Sequence, residues 1–175
     1  MTDLVDGLLT LARADAGVER VELLKVNIDR VIATALDRVA PLASAKQLAL
    51  TAASRPADVS VYGDAALLER VLLILLDNAI KYTPAGGSVT VRTFRADHAV
   101  LVSVSDNGIG IAAADQSDIF ERFYRSDKVR SRGVGGSGLG LSIARWIANR
   151  HGGTIEVTSA LGVGSEFRLR LPVLE

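Results

Sequence analysis

The apolar residues of this 175-residue chain recur with two alternating periods, and that alternation limits its fold more than any other feature. Helical spacing appears over 27–45, with Asn27 as a cap and Ile28, Val31, Ile32, Ala35 and Val39 on one face. It returns from Asp64 to Lys81, stopped by Thr83–Pro84, and again over Leu139–Arg150 with Ile143, Trp146 and Ile147 inward. Strand-like runs lie between these helices, at Val21–Val26, Leu48–Ala52 and Val59–Tyr62, the last two separated by a turn near Pro56. Ser88–Arg95 and Ala99–Ser105 read as one hairpin, and Thr154–Ser159 and Ser165–Leu171 as another across Gly162–Gly164. A short helical piece is expected near Ile119–Phe123. This order predicts a two-layer α/β sandwich, a mixed sheet with helices on one face. Residues 2–16 read as the end of a further helix, with Leu4, Leu8 and Leu11 at seam spacing and Gly17 as its stop. So short a helix needs a partner surface, either its copy in a dimer or the body of the domain.

Composition removes several function classes. Lys+Arg and Asp+Glu are both 20, so no global charge points to nucleic acid or an anionic membrane. The absence of cysteine rules out disulfides, thiolate catalysis and cysteine-held metals. No apolar run reaches the ~20 residues a spanning helix needs, and the start of the chain, with Asp3 and Asp6, lacks the basic region of a secretory signal. A cytoplasmic protein, or the cytoplasmic part of a membrane-bound receptor, is expected.

Four local patterns carry chemistry. Ile74, Asn78 and Lys81 share a helical face spaced four and three apart. An amide oxygen there suits a hard cation and an ammonium suits a phosphate, although a last turn reaching solvent would look the same. Asp106-Asn-Gly108-Ile-Gly110 follows a strand: the carboxylate is suited to an exocyclic amine such as that of adenine, and the glycines to close ligand approach, while a plain turn uses the same residues. Five of the eight residues from Gly133 to Gly140 are glycine, directly before a helix, which suits a phosphate site and equally a flexible loop. A dinucleotide motif there fails because no strand precedes it, and a P-loop fails because Leu141 replaces the lysine. Last, Arg122, Arg125, Lys128, Arg130 and Arg132 after Phe120 give a local positive charge, able to face a triphosphate or simply water.

Taken in this order, the motifs resemble those of the catalytic ATP-binding domain of bacterial two-component sensor histidine kinases. Residues 75–84 look like the N box, Asp106-x-Gly108-x-Gly110 the G1 box, Phe120–Tyr124 the F box, and Gly136-x-Gly138-x-Gly140 the G2 box; Gly162–Phe167 resembles the last glycine turn. The resemblance covers about residues 20–173 and implies the Bergerat sandwich, shared with Hsp90-type and gyrase-type ATPases. It implies ATP and Mg²⁺ as ligands, with Asn78 on the metal, Lys81 on phosphate and Asp106 on the adenine amine. Gly108 and Gly110 would close on the base, Gly136, Gly138 and Gly140 would hinge a lid at about 125–138 and offer backbone donors to the phosphates, Leu139 would join the nucleotide-binding set, Tyr82 would line the pocket and Arg122 would reach phosphate. Residues 1–19 resemble the end of a dimerisation helix and 20–175 the catalytic domain. No catalytic residue is assigned within the chain, because the acceptor histidine of this family lies on a dimerisation domain, here in cis or trans, and a response-regulator aspartate receives the phosphate next. The full-length protein would be a homodimer. His98, in a hairpin turn, and His151, before the helix-stopping Gly152–Gly153, read as structural. One departure stands out: Ile74 occupies a place where the family usually has a polar residue and related ATPases a water-activating glutamate, so hydrolysis by that route is not expected. The alternatives are a nucleotide-binding regulatory module and an anti-sigma-type serine kinase.

Overall fold

The computed structural model describes residues 7–9, 11–12, 21–53, 59–125 and 136–173. The stops and turns read at Gly17 and Pro56, most of the 1–19 unit, and the lid over 126–135 with Lys128, Arg130 and Arg132 lie outside the described residues.

The element order is β1 (Leu24–Asn27), α1 (Ile28–Ala45), β2 (Ala49–Ala52), β3 (Ser60–Gly63), α2 (Ala65–Tyr82), β4 (Ser88–Ala96), β5 (Ala99–Asp106), two 3-10 turns, α3 (Gly140–Arg150), β6 (Thr154–Ala160) and β7 (Gly164–Pro172). Both expected caps form. Asn27 accepts from the Arg30 amide at 3.0 Å, and Asp64 accepts from Ala66 and Leu67 at 2.9 and 3.1 Å, so each helix start has side-chain acceptors for its orphan N–H groups. Most other boundaries shift by a residue, and three differences stand out. The first strand starts at Leu24 rather than Val21, α3 starts at Gly140 rather than Leu139, and the expected helical piece is a pair of 3-10 turns at Ala113–Asp115 and Asp118–Phe120.

The large sheet has the order β2-β4-β5-β7-β6, with β2 parallel to β4 and every other pair antiparallel. The strands on either side of Pro56 part company: β2 joins this sheet, whereas β3 pairs with β1 in a separate two-stranded ribbon. The inner face of the sheet is apolar, with Val91, Val104, Phe167 and Val157 in one cross-strand row and Val102 and Leu169 in the next. The opposite face is polar, with Arg92, Ser103, Arg168 and Glu156 in register. The helices therefore lie on one face, as the two-layer reading requires. Central among them is α2, which packs between α1 and α3 and buries Leu68, Val71, Leu72, Leu75, Leu76, Ala79 and Ile80. At roughly 1.5–3 kcal/mol for each fully buried large aliphatic side chain, this stripe outweighs helix propensity in deciding where α2 sits. Trp146 is only partly buried, and Ala144 and Ala148 complete the inner face of α3.

Residues 7–9, 11 and 12 are helical, and their seam divides. Gly7 and Leu11 turn inward, where a Cβ on Gly7 would lie 3.4 Å from methyls of Leu139 and Ile143, while Leu8 and Leu9 are exposed. This helical segment thus packs on the body of the domain, against the start of α3.

Candidate nucleotide site

The C-terminal half of α2 carries the first part of the site. Ile74, Asn78 and Lys81 form a half-buried face, as their spacing requires, and the Asn78 amide makes no hydrogen bond among the described residues. Opposite Ile74 lies Gly140, where a Cβ would come within 3.3 Å of the Ile74 side chain. Opposite Lys81 lies Gly136, where a Cβ would lie 2.7 Å from Nζ. The lysine ammonium also sits 5.3 Å from the Tyr82 ring centroid. Burial lowers the Lys81 pKa, Asp77 opposes the shift and Arg125 adds to it. Burial likewise raises that of the Tyr82 hydroxyl, with Arg125 acting against the shift and Asp77 with it. Arg125 is thus near enough to act electrostatically on both Lys81 and Tyr82; in the sequence it is one cation in a run of five.

The second part stands at the end of β5. Asp106 is on the inner, helix-facing side of the sheet, in register with Val89 and Ser165. Its carboxylate accepts from the Gly108 amide at 2.8 Å. Burial raises its pKa despite the backbone hydrogen bonds from Gly108 and Ser165, which pull the other way. The loop that follows is strapped to α2: Ile109 donates to the Tyr82 carbonyl at 3.2 Å, and a Cβ at Gly108 would lie 2.6 Å from that same oxygen. On its other side the loop meets the β6–β7 turn, where Gly162 donates to Ile109 O at 2.8 Å and Ile111 donates to Ser159 Oγ at 2.8 Å. Gln116 adds two bonds, to Ile111 O and Ser159 O. Gly110 holds φ +68° with the Ala160 carbonyl where its Cβ would be, so no side chain fits there.

The F-box segment and the glycine-rich stretch meet at the backbone. Phe123, at φ +63°, donates to Gly138 O at 2.9 Å, and Gly138, at φ +72°, lies so close that a Cβ would be 2.9 Å from Phe123 Cα. Phe120 is buried edge-on to Phe167, with ring centroids 6.3 Å apart, and Arg145 of α3 stacks over it while bonding Glu121 at 3.0 Å. Arg122 is exposed in the turn between these anchors. Leu139 is buried, its amide donates to Ser137 Oγ at 3.3 Å, and its carbonyl accepts from the Ser142 hydroxyl and the Ile143 amide, so both its side chain and its backbone are engaged within the protein. Among the described residues no side chain caps the N-terminus of α3, so its first amides suit water or a ligand.

The structure thus brings Asn78, Lys81, Tyr82, Gly136 and Gly140 together around α2, with Arg125 within electrostatic reach and the Asp106 loop tied to the end of the same helix. Among the described residues no cluster of three or more His, Asp or Glu side chains could hold a metal, so a cation here would rely on Asn78 and on the oxygens of a bound ligand. His151 serves a different purpose. It is 4% exposed, its Nε2 accepts from the Asp64 amide at 2.9 Å and its Nδ1 donates to Ile147 O at 2.7 Å, so it joins the end of α3 to the start of α2.

A mixed sheet covered on one face by three helices, with an acidic strand end and a glycine-rich helix start facing one basic helix terminus, defines an ATPase-type nucleotide-binding fold. The chain belongs to the histidine kinase-, DNA gyrase B- and HSP90-like ATPase family, which matches residues 63–175. It is 40% identical over 172 residues to the sensor-like histidine kinase SenX3 of Mycobacterium tuberculosis (strain ATCC 25618 / H37Rv), covering 98% of this chain and 42% of that protein. The chain therefore spans about two fifths of the length of that relative. Among solved structures it resembles the mycobacterial sensor histidine kinase MprB, with a TM-score of 0.76, 32% identity and coverage of 86% of this chain and 97% of that one. It also resembles full-length ShkA in complex with AMPPNP, with a TM-score of 0.86, 30% identity and coverage of 98% and 35%. Among the described residues no helix is long and apolar enough to cross a membrane.

Proposed function

We propose that the chain binds ATP with Mg²⁺ and presents the γ-phosphate to a histidine on a dimerisation domain, in cis or trans, for relay to a response-regulator aspartate. The observation that carries this reading is that the glycine-rich stretch before α3 lies against α2, with Gly136 beside the Lys81 ammonium and Gly140 beside Ile74, while Asp106 is held at the other side of the α2 terminus. Asp106 accepts from the adenine amine, and its bond to the Gly108 amide keeps the carboxylate oriented for that contact. Lys81 and the α3 amides receive the phosphates, Tyr82 and Arg122 border them, and Gly136 leaves room for Lys81 to reach them. Asn78 would hold Mg²⁺, which would supply positive charge to offset the charge developing on the transferred group. What this chain's residues contribute is position and electrostatics. Neither histidine suits the acceptor role: His98 stands in the β4–β5 turn, and both ring nitrogens of His151 are engaged. In this reading residues 1–19 end a dimerisation helix, residues 20–175 are the catalytic domain, and the full-length protein is a homodimer working in the cytoplasm.

Titration with AMPPNP, with and without Mg²⁺, tests the site. Mg²⁺-enhanced binding that Asp106→Asn weakens at least about tenfold, the size of one lost hydrogen bond to a charged group, is the expected result. A folded chain that binds no nucleotide overturns it. A second reading, a nucleotide-binding regulatory module, draws on Ile74, whose apolar side chain faces Gly140 where a polar group would otherwise meet the phosphates. Phosphotransfer to a supplied dimerisation domain separates the two: binding without transfer at saturating ATP favours the module.

A further inference from the structure

Every α-helix leaves its last four carbonyls without intrahelical donors, and each needs a partner where water is excluded. At the end of α2 all four have one. Ala79 O accepts from the amide and hydroxyl of Thr83 at 3.1 and 2.6 Å. Tyr82 O accepts from the Ile109 amide. The two between them, Ile80 O and Lys81 O, both accept from one side chain 34 and 35 residues away: the Lys46 ammonium, at 2.7 and 2.8 Å. Lys46 is itself fixed. It is the C-cap of α1, with its amide on Leu42 O at 3.2 Å; the next residue, Gln47, adopts φ +58°, and Leu48 closes the turn on Ala43 O. Gln47 O in turn accepts from Gly86, just beyond the end of α2.

We propose that Lys46 is a positioning residue for the phosphate end of the nucleotide site, holding the last turn of α2 so that Lys81 presents its ammonium beside Gly136. Its half-buried cation sits at the negative end of a helix dipole and donates to the carbonyl of Lys81 itself. The adenine end depends less on this turn: Ile109 also donates to Tyr82 O, but Asp106 is held in the β5 ladder beside Val89 and Ser165, and its loop is tied to the β6–β7 turn through Gly162 and Ser159. Loss of Lys46 therefore loosens the phosphate end more than the base end. This inference rests on the nucleotide reading given above.

The test compares Kd for AMPPNP and for adenosine in the wild-type chain, Lys46→Met, Lys46→Arg, Lys81→Met and the Lys46→Met/Lys81→Met pair, well below each unfolding midpoint. Lys46→Met is expected to weaken AMPPNP about tenfold and adenosine less than about twofold. Lys46→Arg, which keeps charge and donors, recovers most of the loss, and in the Lys81→Met background Lys46→Met adds little, since both act through one group. Equal losses for the two ligands, full additivity with Lys81→Met, or no loss at all overturns the proposal. Should Lys46→Met not fold, Lys46→Gln, with a shorter neutral donor, replaces it in the same titrations: a loss confined to AMPPNP supports the proposal, and equal losses or none overturn it. Wild-type chain that binds neither ligand would defeat the nucleotide reading itself, an outcome distinct from wild-type binding that Lys46→Met leaves intact.

Discussion

Asp106 shows how one residue sets function against stability. Burial raises its pKa, so the folded state disfavours the carboxylate relative to the unfolded chain. The sign follows: the penalty is present above the folded-state pKa and is relieved as pH falls through that value to below the ordinary 3.8. Asn keeps an oxygen acceptor for the Gly108 amide but carries no charge. Asp106→Asn is therefore expected to leave the thermal midpoint at pH 7 unchanged or raised, with any gain shrinking on acidification, while nucleotide affinity falls. Thermal melts across pH alongside the AMPPNP titration check this, and a midpoint lowered at neutral pH would mean that the carboxylate is a structural asset. The candidate role of Asp106 is legible from its residue type, the strand end and the following glycines. That of Arg125 is not, because a run of cations does not say which one acts on Lys81.

Among the elements, the turns around the site are set by what their backbones touch. Gly110 and Gly86 both hold positive φ, at +68° and +81°, but Gly110 faces the Ala160 carbonyl, whereas an added Cβ at Gly86 meets nothing within 4 Å among the described residues. Gly86→Ala is thus expected to cost only the left-handed backbone preference, roughly 1–2 kcal/mol. Gly110→Ala adds a backbone clash and should exceed about 3 kcal/mol, with nucleotide binding lost as well. Urea midpoints of the two variants measure the difference, and equal costs would refute the steric argument. Both glycines look alike in the sequence, as do Asn27 and Asp64 as caps. The caps are legible because a cap acts within three residues, whereas the Gly110 contact reaches a turn some fifty residues on.

At the scale of the molecule, the two helices that carry the phosphate end are joined away from it by His151. Its two ring bonds, to Asp64 N and Ile147 O, bridge α3 and α2 inside the core. His151→Leu fills the same space but strands a buried N–H, which costs about 1–3 kcal/mol. For a chain of this size that is a drop in midpoint of roughly 2–10 °C, read by calorimetry; an unchanged midpoint would mean that the bridge contributes nothing to stability. The histidine reads as structural from its place before Gly152–Gly153, but nothing in the sequence points to its partner on another helix.

The sequence by itself determined the kinds of elements, their order, the two helix caps and the set of nucleotide motifs, because each is written in spacings of two, three or four residues that a local backbone enforces. Only the tertiary structure decided that β2 runs parallel to β4 while β3 turns away to β1, that Arg125 stands within electrostatic reach of Lys81 and Tyr82, and that Lys46 holds the end of α2. Those choices join residues many positions apart. They are settled by which apolar faces must be buried together and by which polar groups then need partners, and no local period carries that information.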